Sequence, residues 1–237
     1  MFEKKRLVVL SGAGVSQESG IKTFRDMGGL WEEYDIEEVA TPQAWARNPE
    51  LVMRFYNERR KQLYQCEPNN GHIGLAKLEK HFDVHIITQN VDDLHERAGS
   101  SNVLHLHGEL KKARSSVDSS LIYDIDGWEL KFGQKCEKGS QLRPHIVWFG
   151  EAVPAIDQAL PIVQSADIFV VVGTSLNVYP AAGLLNYVRK GTPVFLVDPN
   201  PVKVYTNVTY INEKAGKGID TLTSMLKKTY NFTLLSG

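Results

Sequence analysis

The feature that most constrains this chain is a recurring unit: a short run of Val, Ile and Leu without alternation, then glycine or polar residues, then a helical pattern. The runs fall at 7–10 (Leu7-Val8-Val9-Leu10), 84–88, 168–172 and 194–197. A run that does not alternate with polar residues suits a strand buried on both faces, as in a parallel sheet covered by helices. Strand, loop and helix in repeated succession predict an α/β fold with a Rossmann-like, doubly wound parallel sheet. Such sheets bind ligands where their strands end, so the residues following each run are the first candidates for a site.

Two stretches do not fit that pattern. Over 48–65 the spacing is helical: Asn48 can cap, Pro49 suits the first turn, and Leu51, Val52, Phe55, Tyr56 and Leu63 follow on one side. Between 110 and 142, Leu121, Tyr123 and Ile125 alternate, Asp126-Gly127 suits a type I′ turn, and Trp128, Leu130 and Phe132 alternate back. That reads as a β-hairpin with an apolar face on which Ile125 opposes Trp128 and Tyr123 opposes Leu130. The expected organisation is a sheet domain over 1–34, 71–110 and 143–237, with a small lobe formed by two insertions, 35–70 and 111–142. A length of 237 residues accommodates both.

Composition narrows the classes of function. A net charge of −1 disfavours a nucleic-acid binder that works by neutralising phosphates. Two cysteines, Cys66 and Cys136, allow neither a disulfide framework nor a four-thiolate metal site. The apolar run at 7–10 is too short for a secretory signal, and no stretch nears the roughly 20 residues of a membrane span. The expectation is a cytoplasmic protein, monomeric, with no nucleic-acid or membrane partner.

Four motifs sit at strand ends. Gly12-Ala13-Gly14-Val15-Ser16 can bring backbone N–H groups close to a phosphate, although a strand-to-helix turn also calls for glycine. The spacing of its glycines, and the lack of an acid at the end of a second strand about 20 residues on, disfavour an ordinary hydride-transfer enzyme. Thr88-Gln89-Asn90-Val91-Asp92-Asp93-Leu94-His95 crowds amides and carboxylates at a strand terminus. Its plainer reading is a helix start with Asn90 as cap. His105-Leu106-His107-Gly108 places two imidazoles on one face of an extended segment, suited to a metal pair, to packing, or to proton transfer near neutral pH. Gly173-Thr174-Ser175 closes the run at 168–172 and suits a phosphate, a ribose or a plain turn.

Taken in order, Gly12-Ala13-Gly14, Ser16, Gly20-Ile21, Phe24-Arg25, Thr88-Gln89-Asn90, Asp92, His95, His107-Gly108, Val147-Trp148-Phe149-Gly150-Glu151 and Gly173-Thr174-Ser175 closely resemble the sirtuin family, from about residue 7 to 226. The resemblance implies a Rossmann-like domain with a small lobe, and an enzyme that removes acyl groups from lysine while consuming NAD as co-substrate. Nicotinamide and O-acyl-ADP-ribose are the implied products. It implies His107 as the catalytic base. Gly12, Ala13, Gly14 and Ser16 would form the pyrophosphate and ribose loop, and Ile21, Asn90 and Asp92 the nicotinamide pocket. Phe24 and Arg25 match a segment covering the cofactor, Gln89 a ribose contact, and Gly173, Thr174 and Ser175 contacts to the adenosine half. Gly20, Trp31, Val91, Pro199 and Asn200 are carried over as further cofactor contacts, and Ala215 as a backbone contact to adenine. Asp198 stands where many members have asparagine. Val147, Phe149, Gly150 and Glu151 match one edge of the groove in which a substrate peptide lies as an added strand.

Ala40, Tyr56 and Arg59 match the subgroup that removes succinyl, malonyl and glutaryl groups. A guanidinium and a phenol can bind a carboxylate, and alanine leaves room for the longer chain. Most sirtuins hold zinc on four cysteines, whereas here the corresponding regions read Ala113-Arg114-Ser115-Ser116-Val117-Asp118-Ser119 and Lys135-Cys136-Glu137-Lys138-Gly139-Ser140. No zinc is expected, with the apolar hairpin face, including Trp128 and Phe132, stabilising the lobe instead. Competing functions are an NAD glycohydrolase or ADP-ribosyltransferase, and a catalytically silent NAD-sensing module.

Overall fold

The computed structural model of the protein describes residues 4–21, 34–200 and 207–232. All four apolar runs are strands: β1 (Arg6–Ser11), β2 (Asp83–Thr88), and two later ones, Ile168–Val172 and Val194–Val197. Between them lie β3 (Val103–His105), β4 (Gly108–Ser115), β5 (Ile122–Asp124) and β6 (Leu142–Ile146), so the later two are β7 and β8, followed by β9 (Thr209–Ile211). The main sheet is parallel throughout, in the order β3-β2-β1-β7-β8-β9. The edge strands β3 and β9 have three residues each, too short for periodicity to announce them.

The helices are α1 (Gly14–Gln17), α2 (Ile36–Val39), α3 (Pro42–Arg47), α4 (Pro49–Leu63), α5 (Asn70–Leu78), α6 (Leu94–Arg97), α7 (Ala155–Gln164) and α8 (Ala215–Tyr230). On one face of the sheet, Leu75 and Leu78 of α5 and Ile219, Leu222 and Leu226 of α8 pack on Leu7, Val9 and Val170. On the other, Ala159 and Val163 of α7 and Leu184 pack on Val8, Leu10 and Val171. Both faces of β1 and β7 are thereby covered, which is why their sequences are apolar without alternation. The chain winds outward from β1 towards β3 and from β7 towards β9. The point where the winding reverses therefore lies between β1 and β7, and crevices for ligands open there.

Helix α4 begins as expected: the Asn48 side chain accepts from Leu51 N, and Pro49 occupies the first turn. The hairpin is corrected. Strand β5 pairs antiparallel with β4, Ala113 opposite Tyr123, and β4 pairs on its other side with β6, giving a separate sheet in the order β5-β4-β6. Residues 128–132 do not return as a strand. Helix α4 holds their backbone instead. Asn57 donates to Leu130 O at 3.0 Å and accepts from Leu130 N at 2.9 Å, while the buried Arg60 donates to Trp128 O at 2.8 Å and to Leu110 O. Leu130 is thereby drawn into a cluster with Met53, Ala113, Cys136 and Leu142. Trp128 and Phe132 remain 41% and 56% exposed, so they do not form the core of the lobe.

Candidate active site

The loops leaving β1 and β7 touch at the reversal point. Gly12 N donates to Val172 O at 3.0 Å and Gly14 N to Gly173 O at 2.8 Å. A methyl group on Gly12 would lie 2.6 Å from Thr174 Cβ, and one on Gly14 only 2.8 Å from Gly173 Cα. The glycines are thus required first for two loops to meet, and the floor they make is open to a ligand second.

Above that floor lies a cavity of about 1010 Å³. Its wall brings together Gly12, Ala13, Gly14, Ser16, Ile21, Gln89, Asn90, Val91, Asp92 and His107 with Gly173, Thr174, Ser175, Asp198, Pro199, Asn200 and Ala215. Ala40, Tyr56, Arg59, Val147, Phe149, Gly150 and Glu151 line the same space. Gly20 stands outside the wall, where a φ of +88° turns the chain after α1. Phe24, Arg25 and Trp31 lie outside the described residues. The volume is at the upper end of small-molecule sites, roughly 300–1,000 Å³, and leaves room for a dinucleotide beside an acylated side chain.

Between β2 and α6 the polar groups are fixed by one another. Ser16 Oγ donates to Asp92 Oδ2 at 3.0 Å and receives Asn90 Nδ2 at 3.0 Å, and Asn90 Nδ2 also reaches Gly12 O at 3.2 Å. Asp92 Oδ1 accepts from Leu94 N at 3.2 Å. It is therefore Asp92, not Asn90, whose side chain meets the start of the helix, while Asn90 is directed to the glycine loop. Burial pushes the Asp92 carboxyl up, opposed by the Ser16 hydrogen bond.

His107 follows β3, at the turn into β4. Gly108 makes that turn at φ +81°, where any side chain would collide with the His145 carbonyl. His107 Nδ1 lies 3.0 Å from Gln89 O. A carbonyl only accepts, so Nδ1 carries the proton and Nε2 is the basic atom. Burial lowers the pKa of the ring, which keeps it neutral at pH 7. His105 is different. Its Nδ1 donates to Asn90 O at 2.9 Å and its Nε2 lies 2.7 Å from Glu96 Oε1, and despite burial this partner raises its pKa. The two rings clamp consecutive carbonyls and do not form a metal pair. Among the described residues, no group of three or more His, Cys, Asp or Glu side chains could hold a metal ion.

At the α4 side, Tyr56 is buried and Arg59 Cζ lies 5.9 Å from its ring centroid. Burial drives the Tyr56 phenol up to about 12, with the Arg59 charge the largest opposing influence. The phenol is therefore a hydrogen-bond donor at any physiological pH. Ala40 supplies its carbonyl to Phe149 N at 3.0 Å, tying the two walls together. Glu151 is engaged elsewhere: its carboxylate takes Arg143 at 2.7 and 3.1 Å, Arg114 at 3.2 Å, and Trp148 N at 2.8 Å. It braces the segment 147–151 from behind.

Comparison with known proteins agrees with this geometry. The profile of the Sir2 family matches residues 12–180. An NAD-dependent protein deacylase of Bacteroides thetaiotaomicron is 56% identical over 229 residues, covering 94% of this chain and 98% of that protein. One from Helicobacter pylori is 54% identical over 215 residues, covering 89% and 93%. A solved Sir2 homologue in complex with NAD superposes with a TM-score of 0.85 at 41% identity, covering 96% of this chain and 91% of that one. The chain belongs to the Sir2 family.

Within this Sir2 chain, two groups escaped the sequence reading. His72, on α5, is fully buried with its pKa lowered to about 4 by burial, and its Nε2 lies 3.4 Å from Ser16 Oγ. Its Nδ1 accepts from Asn69 N, so Nε2 is the protonated atom and Ser16 gains a second donor. A histidine within a helical pattern carries no local sign of such a role. Trp148 also lines the cavity, although only its neighbours were expected to. In the lobe, Cys136 Sγ lies 3.1 Å from Ser140 Oγ and 3.5 Å from Ser115 Oγ, and the two hydroxyls are 2.8 Å apart. Small polar side chains there satisfy one another.

Proposed function

We propose that this chain is an NAD-dependent protein-lysine deacylase that prefers acidic acyl groups, succinyl and malonyl over acetyl, and transfers them to ADP-ribose with release of nicotinamide. The observation that carries the proposal is the single cavity in which His107, the Ser16–Asn90–Asp92 cluster and the Tyr56–Arg59 pair share one wall. The names of the relatives support the coarser part, and the resemblance of Ala40, Tyr56 and Arg59 to the acidic-acyl subgroup supports the finer one.

Bound NAD supplies a sugar carbon that loses nicotinamide and accepts the acyl oxygen. The protein does the rest by placement. Asn90 and Asp92, already fixed through Ser16, receive the carboxamide. The loops of Gly12-Ala13-Gly14 and Gly173-Thr174-Ser175 hold the pyrophosphate and the adenosine half. Arg59 and Tyr56 hold the distal carboxylate, which places the amide against the sugar and converts an encounter into an intramolecular reaction. His107 Nε2 takes the proton of a ribose hydroxyl, freeing that oxygen for the acyl carbon. Phe149 and Val178, both exposed at the cavity, border the groove for the peptide. The lobe has no zinc in this proposal, since Cys136 with two serines is a poor ligand set.

The test is one incubation of the protein with NAD and a succinyl-lysine peptide, following peptide, nicotinamide and ADP-ribose species together. Deacylated peptide with O-succinyl-ADP-ribose is expected. Succinyl should exceed acetyl in kcat/KM by at least tenfold, and Arg59→Met should abolish that margin by raising KM for the succinyl peptide. Free ADP-ribose with an unchanged peptide would mark an NAD hydrolase, and silence a binding module.

A further inference from the structure

The loop after β2, which carries Asn90 and Asp92, has its carbonyls held in succession by the segment 105–110. Thr88 O accepts from Leu106 N at 2.9 Å and Val91 O from Leu110 N at 2.7 Å. Between them, Gln89 O accepts from His107 Nδ1 at 3.0 Å and Asn90 O from His105 Nδ1 at 2.9 Å. His107 keeps its other nitrogen free for chemistry. His105 does not, because its Nε2 lies 2.7 Å from Glu96 Oε1. A carbonyl and a carboxylate only accept, so both nitrogens of His105 carry protons and the ring is an imidazolium. Burial opposes that charge, and the Glu96 contact outweighs it, with Glu109 adding a weaker attraction. His105 is not part of the cavity wall. Whatever it does for the site, it does through Asn90.

Asn90 is held on both sides of its Cα. Its N–H donates to Thr88 Oγ1 at 3.0 Å, and its carbonyl is the one that His105 takes. Its side chain is thereby aimed at Gly12 O and Ser16 Oγ, at 3.2 and 3.0 Å, and Ser16 in turn donates to Asp92. The same cation acts on Asp92 at a distance. Burial pushes that carboxyl up, and the Ser16 hydrogen bond and, more weakly, the His105 charge oppose it.

We propose that His105, held by Glu96, is a positioning residue for cofactor cleavage: by fixing the Asn90 peptide it shapes the pocket for the nicotinamide carboxamide, and it leaves the adenosine half and the acyl site unaffected. The inference rests on the deacylase reading above, which gives that pocket to Asn90 and Asp92. Without the imidazolium, the Asn90 carbonyl is left unpaired in a buried place, and the peptide that follows Asn90 turns to satisfy it elsewhere. The amide side chain then loses its aim, although nothing that touches nicotinamide has been changed.

Nicotinamide and ADP-ribose probe the two parts of the cofactor separately, since ADP-ribose has no nicotinamide. In His105→Leu, the KM for NAD and the nicotinamide concentration that half-inhibits deacylation are each expected to rise about tenfold, the loss of one charge-assisted hydrogen bond. The calorimetric Kd for ADP-ribose and the KM for the acyl-lysine peptide should stay within about twofold. His105→Asn, whose amide N–H takes the place of Nδ1, is expected to restore most of the nicotinamide response. Glu96→Gln alters a side chain that is 40% exposed, so it keeps the test valid if His105→Leu does not fold, and it should raise the nicotinamide value in the same direction by a smaller factor. ADP-ribose affinity that falls in step with the nicotinamide response overturns the proposal, because a merely structural role loosens both parts together. A nicotinamide response unchanged in Glu96→Gln and in His105→Leu overturns it as well. If the unmutated protein releases no nicotinamide from NAD and an acyl-lysine peptide, the deacylase reading itself has failed. Release that nicotinamide inhibits equally in parent and variants removes His105 alone.

Discussion

At the scale of single residues, the decisive atom is His107 Nε2, and it is basic because a backbone carbonyl fixes the proton on the opposite nitrogen. His107→Ala should reduce deacylation by at least a hundredfold while the thermal melt is nearly unchanged, and turnover equal to the parent would remove the residue from its role. The direction of its pKa shift gives a pH profile as well. Burial lowers the ring below its usual 6.5, so the neutral form persists down to pH values under 6.5 and activity falls only as pH drops further. The acidic limb of kcat/KM should therefore have its midpoint below 6.5; a midpoint above 7 contradicts the assignment. What was legible at this scale was residue type joined to a strand end: Asn90, Asp92 and the paired glycines all follow an apolar run, whereas His107 follows the three-residue β3 and stood out through the resemblance. His72 and Trp148 were not, because burial arises from tertiary packing and leaves no trace in spacing.

Among the elements, the parallel strands were readable because burial on both faces removes alternation, and α4 because Asn48 and Pro49 punctuate its start. The alternation at 128–132 misled for a reason equally physical. A strand needs a partner for its backbone, and Asn57 and Arg60 of α4 satisfied the backbone of that segment before another strand could. A three-residue strand, β5, sufficed to cover the edge of β4. The lobe is thus fastened to α4 by side chains, which makes Asn57 a structural joint. Asn57→Ala removes two bonds to Leu130 and one from Arg60 at 2.7 Å, and should cost about 2 kcal/mol at roughly 1 kcal/mol per bond with partial rehydration. Scanning calorimetry should show the melting temperature lowered in this variant, while saturating chelator leaves that of the parent untouched. A chelator-sensitive melt would show that a metal, and not this joint, holds the lobe.

For the whole molecule, the same burial that creates the site sets its tolerance of acid. His72 and His145 are each lowered to about 4, and His95 lies well below its usual value, in every case chiefly through burial. In the unfolded chain each titrates near 6.5. Between 6.5 and about 4 the unfolded state therefore binds protons that the folded state refuses, and stability declines as pH falls through that window. Each ring contributes a slope approaching 1.4 kcal/mol per pH unit, so two units of acidification consume an appreciable part of the roughly 5–15 kcal/mol that holds a domain together. His105 works in the opposite sense. Raised by Glu96, it adds stability below its unfolded pKa that is lost as pH climbs through its folded value, which leaves the slope below pH 6 to the lowered rings, His107 included. Urea unfolding followed from pH 7 to pH 5 should accordingly show a steep loss of stability, and His145→Gln, which removes one titrating ring with an unpartnered nitrogen, should make that loss shallower by about one proton. A stability flat across the interval would mean that these rings already exchange protons freely in the folded state, and the close packing around Ser16 and His107 on which the site depends could not then be as drawn.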